Sequence, residues 1–218
     1  MKITTAKILK AAENKILLQP FEDINRELQQ KQITTVELRL DDGRTISAEQ
    51  RRKTWALIND IDDWMGNYLP EVTRSLMETL FIAEMGYEWF SLSNVDMTTA
   101  KEFITFLINF CFENGVPTRD TLLNQTDDIG KYLYMCLEHR RCAICNEKAE
   151  VHHVDRVGSG RNRKVINHIG MLAIALCHKH HMMAHQDEKG LFERYFIYGI
   201  KLDKYLCDRL NLNTKERR

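Results

Sequence analysis

The chain has 218 residues, with 31 Lys plus Arg against 31 Asp plus Glu, a formal net charge of zero and a pI near 7.1. Hydrophobic residues make up 44% and charged residues 28%, ordinary globular proportions that exclude an acidic disordered protein and a polybasic tail. The zero is a sum of opposites: residues 139–218 hold 16 basic and 9 acidic residues, a balance of +7, and residues 1–138 carry the compensating −7. All 8 histidines lie between His139 and His185, inside the basic segment. Two parts with different partners are expected, residues 1–138 and residues 139–218, the basic part facing phosphates.

In chain order, Ile3–Leu9 and Lys15–Gln19 read as strand pieces and Glu22–Lys31 as a short helix. Thr34–Leu40 alternates Val36, Leu38 and Leu40 against Glu37 and Arg39, the pattern of a half-buried strand. Asp41-Asp42-Gly43 is a turn signal, and Arg44–Ile46 is expected to return as a second strand. Ser47 with Gln50 forms a capping box opening a helix that turns Leu57, Ile58, Ile61, Trp64 and Met65 to one side. Pro70 suits the first turn of the next helix, whose expected buried face is Val72, Leu76, Leu80 and Ala83, ending near Gly86. Thr99 and Glu102 are a further capping-box pair. They open a helix with Phe103, Phe106, Leu107, Phe110 and Cys111 inward, closed by Gly115 and Pro117. Residues 126–140 form another helix leading into Cys142. The first part is therefore a small sheet with packed helices and carries no catalytic constellation. The whole chain is α+β.

No apolar run reaches the roughly 20 residues of a membrane span, and the charged start MKITTAKILKAAENK lacks a signal-peptide core, so a cytoplasmic protein is expected. Cys111, Cys136 and Cys207 lie in helical apolar stretches and read as core thiols. The other three cysteines form a different pattern. Cys142 and Cys145 make a CxxC, and 32 residues later Cys177 and His180 make a CxxH. Each pair offers two ligands from one tight turn, the arrangement of a tetrahedral structural zinc held by Cys142, Cys145, Cys177 and His180. Between the pairs stands the strand-like Glu150-Val151-His152-His153-Val154. After them, His181 and His185 fall at i and i+4 on one helical face, close enough to share a metal.

From about Arg140 to Gln186 the chain resembles the HNH endonucleases, or ββα-metal nucleases, in their zinc-stapled form: CxxC, a His pair ending a strand, a second strand, then a helix with further histidines. The resemblance implies a C-terminal ββα-metal fold, a metal-dependent DNA endonuclease, His152, His181 and His185 as ligands of a catalytic divalent ion (Mg, Mn, Ni or Zn), and His153 as general base. The family's Asn normally stands five residues before the second knuckle, where this chain has Leu172; Asn167 or Asn162 is the expected substitute, with Asn167 taken as the catalytic one. Arg156, Arg161, Arg163 and Lys164 follow His153 in a glycine-containing loop suited to gripping phosphates.

Residues 33–117 resemble a second family, the phage recombination mediators of the lambda Orf (NinB) type, through Arg44–Asp60 with its Arg51-Arg52-Lys53-Thr54-Trp55-Ala56 core and through Ser93–Val116. That resemblance implies a homodimer that binds single-stranded or branched DNA, host single-strand-binding protein and recombinase, with Arg51, Arg52 and Lys53 as a local DNA patch. Together the two likenesses imply a phage recombination protein with an endonuclease module, against the alternative of a non-catalytic zinc-stabilised mediator.

Overall fold

The computed structural model describes residue 4 and residues 6–13, 15–36, 43–154 and 166–214. Strands β1 (Ala6–Ala12) and β2 (Lys15–Pro20) pair antiparallel, and the short helix α1 (Asn25–Gln30) follows. Ile8, Leu9, Ile16 and Leu17 stay exposed on this hairpin. Residues 33–36 lie outside any strand and are exposed, and residues 37–42 fall outside the described part. Thr45 bridges instead to Asp96: the Ile46 N–H donates to Val95 O at 2.7 Å and the Met97 N–H to Arg44 O at 3.1 Å. The expected return strand thus pairs with the segment that begins the later helix.

Helix α2 (Ala48–Met65) starts as expected, with Ser47 Oγ accepting from the Gln50 amide and the Gln50 side chain accepting from the Ser47 amide. Leu57, Ile58 and Ile61 are fully buried, whereas Trp64 lies at the helix's open end, edge-on to Phe110 at 6.2 Å. Helix α3 (Pro70–Met85) begins at its proline but presents a different face from the one expected. Thr73, Met77, Glu78 and Phe81 are inside, and Val72, Leu76 and Leu80 are 57%, 40% and 41% exposed. Polar anchoring sets this rotation. The buried Asp62 carboxylate on α2 accepts the Thr73 hydroxyl at 2.6 Å and the Leu69 amide at 3.3 Å. Leaving a buried carboxylate unpartnered costs more than exposing aliphatics. With Thr73 held inward, Phe81 becomes the hub of an aromatic cluster with Tyr87, Phe90, Phe103 and Phe106.

Helix α4 (Met97–Asn114) is capped by Asp96, which accepts from the Thr99 amide, so it starts a turn earlier than Thr99 suggests. It ends at Gly115 with φ of +65°, a left-handed turn that favours glycine. One short turn, α5 (Leu122–Gln125), precedes α6 (Ile129–Glu138), whose N-cap is Asp128.

The C-terminal part is a three-stranded antiparallel sheet with two helices. β3 (Glu150–His153) and β5 (Ile200–Lys201) flank β4 (Leu172–Leu176); α7 (His178–Tyr195) lies between β4 and β5, and α8 (Lys204–Leu210) follows. The ββα unit is β3, β4 and α7. One hydrophobic cluster runs through the protein from Leu57, Phe103 and Leu107 to Ala173–Leu176 and Leu206. Helix α6 joins its two sides, packing against α4, β4 and α8. Among the described residues, no helix is long and apolar enough to cross a membrane.

Candidate metal centres and the histidine site

The CxxC turn is built by local backbone bonding. Arg141 bridges to Lys148, the Cys142 amide donates to Glu147 O at 2.7 Å, and the Asn146 amide donates to Cys142 O at 2.9 Å, with Asn146 left-handed at φ 61°. The turn is docked onto the sheet by the Ala143 amide on Ala175 O at 2.9 Å. It is also held from α6, where the fully buried Tyr132 hydroxyl donates to Ala143 O and accepts from Asn146 Nδ2. Opposite it, Cys177 is the N-cap residue of α7 and His180 lies in its first turn.

The four donor atoms converge. His180 Nδ1 stands 3.4 Å from Cys142 Sγ, 3.6 Å from Cys145 Sγ and 3.2 Å from Cys177 Sγ, and Cys145 Sγ is 3.6 Å from Cys177 Sγ. Tetrahedral zinc with bonds of about 2.3 Å to sulfur and 2.0–2.1 Å to nitrogen separates two sulfurs by about 3.8 Å and a sulfur and nitrogen by about 3.5 Å. The donor set therefore fits zinc in both chemistry and spacing. Burial pushes the Cys142 and Cys145 thiols up, Cys145 to about 12. Burial likewise holds His180 below the usual imidazole range, in its lone-pair-donating form. A divalent cation between them drives the thiols to thiolate.

The second cluster lies beside the first on the same helix. Alternation along β3 sends His152 inward and His153 to the opposite, half-buried side. His181 and His185, one helical turn apart on α7, meet His152: ring centroids are 4.9 Å apart for His152 and His181, 5.4 Å for His152 and His185, and 4.7 Å for His181 and His185. One donor nitrogen from each lies within 4.8 Å of the others. Two donors on one ion with bonds of about 2.1 Å stand up to about 4.2 Å apart, so small ring movements close the trio. Burial, then the neighbouring His152 and His185, hold His181 below the usual imidazole range and so neutral, the form that binds metal. Two carboxylates back this cluster: Glu188 Oε2 is 2.6 Å from His152 Nε2, and Glu150 Oε2 is 3.5 Å from His181 Nδ1.

His153 does not join the trio. Its Nε2 lies 2.9 Å from Nδ1 of His168, a residue 3% exposed whose own amide donates to Asn213 O. Asn167 sits next to it in sequence, but its Oδ1 accepts the Ile169 amide at 3.0 Å, capping its own turn. Leu172, at the position of the family's Asn, is in β4 and accepts the Val154 amide through its carbonyl. Asn162 and the basic residues Arg156, Arg161, Arg163 and Lys164 lie outside the described residues.

The first-part patch has other engagements. Arg51 donates to the Leu92 and Ser93 carbonyls, and Lys53 bonds Thr126 O and Asp127 at 2.6 Å; Arg52 is exposed. Residues i, i+1 and i+2 of a helix spread over about 200° of its circumference, so the three cannot share a face. His168 and Glu188 are the site residues that motif reading passes over. The only hint for His168 was a histidine without a ligand spacing, and Glu188 reads as a solvated helix residue.

A family model described as "Putative HNHc nuclease" matches residues 19–213, nearly the whole chain. No curated protein and no solved structure matches.

Proposed function

The chain belongs to the HNHc nuclease family, which implies hydrolysis of phosphodiester bonds, and we propose on that footing that it is a metal-dependent DNA endonuclease. The observation that carries the proposal is the His152–His181–His185 convergence with His153 beside it on the same strand. In this reading the trio holds the catalytic divalent ion, and Cys142, Cys145, Cys177 and His180 hold a structural zinc. A divalent ion held there would supply positive charge to the scissile phosphate and to the leaving oxygen. Three imidazoles favour a transition metal over magnesium.

His153 is the general base. In this reading His153 Nε2–H is the donor in the 2.9 Å contact with His168 Nδ1, which leaves the His153 Nδ1 lone pair to take the proton of the attacking water. The imidazolium so formed keeps its Nε2–H on His168, which stabilises the charge and fixes the ring. His168 thereby takes the part expected of Asn167. The support is the 2.9 Å contact together with the turn that occupies the Asn167 side chain. Arg156, Arg161, Arg163 and Lys164 are proposed phosphate contacts, on the strength of the +7 balance of residues 139–218.

The finer assignments rest on the mediator likeness of residues 33–117. They are single-stranded or branched DNA as substrate, single-strand-binding protein and recombinase as partners, and a homodimer. Exposed aliphatics on the β1–β2 hairpin and on α3 suit a self-association surface. The alternative, a zinc-stabilised mediator without catalysis, draws on Leu172 at the family's Asn position.

Cleavage of single-stranded, duplex and branched DNA with Mg, Mn, Ni or Zn, beside His152→Ala, decides between the two readings. Cutting by the wild type that the variant loses supports the nuclease. One tightly held zinc with no cleavage under any metal leaves the mediator.

A further inference from the structure

Helix α7 is not continuous. At Asp187 the backbone leaves helical geometry, with φ −151° and ψ 83°. The Asp187 carboxylate then accepts the Gly190 amide at 2.9 Å, the bond an N-cap residue makes to the third residue of the helix it opens. Asp187 therefore ends one helical segment and caps the next. Gly190 is part of the arrangement, because a Cβ there would lie 2.0 Å from Asp187 Oδ2 and 2.8 Å from its Cγ. Aspartate and glycine are both poor residues for a helix interior. Their spacing in Asp187-Glu188-Lys189-Gly190 gives the break a local cause.

The break makes Glu188 the first residue of the new segment and brings its Oε2 to 2.6 Å from His152 Nε2. The His152 side chain is 5% exposed and that of Glu188 is 35% exposed, so the contact lies where protein gives way to solvent. A separation this short is that of a charge-assisted hydrogen bond. The donor atoms that gather within 4.8 Å of one another are those of His152, His181 and His185, and Glu188 is not among them. Glu188 thus acts through His152 rather than as a fourth arm of the cluster. The second carboxylate, Glu150, is 71% exposed and 3.5 Å from His181, a looser contact.

We propose that Glu188 is a positioning residue for the catalytic metal site. Its carboxylate accepts a hydrogen bond from the Nε2–H of His152, fixing the tautomer whose Nδ1 lone pair is left for the ion, and the Asp187–Gly190 helix break is what presents it. The proposal rests on the reading that the histidine trio holds a divalent ion. A carboxylate behind a histidine ligand raises its basicity and fixes its ring; losing such a partner costs about 10–100-fold in metal affinity.

The test uses the full chain with its structural zinc in place, titrated calorimetrically with Mn²⁺ alone, with nitrogen-15 NMR of the His152 ring in the metal-free state. Wild type binds one exchangeable ion with His152 protonated at Nε2. Glu188→Ala weakens that ion about 10–100-fold and mixes the tautomers. Glu188→Gln, which keeps an acceptor without the charge, falls between. Gly190→Ala weakens the ion as well, by displacing Asp187, and zinc content is unchanged in all three. A wild type that takes up no Mn²⁺ overturns the metal-site reading and this proposal together. A wild type that binds, beside a Glu188→Ala that binds within twofold of it with an unchanged tautomer, overturns the positioning role alone.

Discussion

Replacing His153 by alanine separates its proposed role from every structural one. The backbone of His153 pairs with Ala173 across β3 and β4 irrespective of the side chain, so the sheet persists. The local loss falls on His168, buried at 3% exposure, whose Nδ1 gives up a partner at 2.9 Å. Loss of that hydrogen bond costs about 0.5–1.5 kcal/mol. With melting entropy of about 2.1 cal/mol/K per residue, that lowers the Tm of a chain this long by about 1–3 °C. The rate loss is far larger, since general base catalysis contributes about 10²–10⁴-fold, or about 3–5 kcal/mol of barrier. Affinity for the exchangeable ion stays put, because His153 is outside the trio. The assay is plasmid nicking under saturating Mn²⁺, with calorimetric metal titration and thermal melting on the same preparation. His153→Gln, able to donate to His168, recovers much of the Tm without recovering the rate. Nicking at the wild-type rate by His153→Ala refutes the base assignment. A tenfold or greater fall in metal affinity moves His153 from base to ligand.

Three further outcomes follow from the geometry. Cys142→Ser removes a thiolate from the four-donor set, so metal analysis of the purified variant finds its structural zinc lost or readily chelated while wild type retains it. Phe81→Ala empties the hub of the aromatic cluster, at 0% exposure, and costs about 3–5 kcal/mol in urea denaturation with an unchanged slope. Burial depresses the His139 imidazole, which stacks on Phe112 and bonds Asn109, below its unfolded value near 6.5. Between the two pKa values the unfolded chain binds the extra proton, so this group's stability contribution is present above pH ~6.5 and is lost as pH falls toward the folded value. His139→Gln therefore shows a flatter stability profile than wild type between pH 7.5 and 5.5, and parallel profiles would refute it.

What could be read from the residues divides by range. The Ser47–Gln50 box, Pro70, the CxxC and CxxH pairs and the i, i+4 histidines are all local, and each appears in the structure where spacing put it. The face of α3 was not legible. Its aliphatics make a clean stripe, yet the rotation is dictated by a carboxylate on another helix that needs the Thr73 hydroxyl. Arg51 and Lys53 look like a patch as letters and are tethers in space, because their partners lie 41 and 74 positions away. His168 meets His153 from fifteen positions away, a separation that no helical or strand spacing signals. Glu188 hides for a different reason. A glutamate on a polar helix is the commonest of residues, and only a backbone break one position earlier gives it a specific target.

Helix α7 carries one further consequence. His180 belongs to the sulfur-rich site and His181, the next residue, to the imidazole site. The first turn of one helix is therefore a shared mechanical element of two binding equilibria. Any tilt of that turn on loading one ion alters the donor geometry offered to the other, and linkage makes the effect reciprocal. If both sites fill, the more enclosed set would take zinc first and shape the turn, and an exchangeable ion would then meet histidines already aimed. A cell short of zinc would accumulate chains whose nuclease site fails for lack of an ion that takes no part in cutting. Activity would then answer to two metal concentrations, one sensed slowly through assembly and one quickly through exchange.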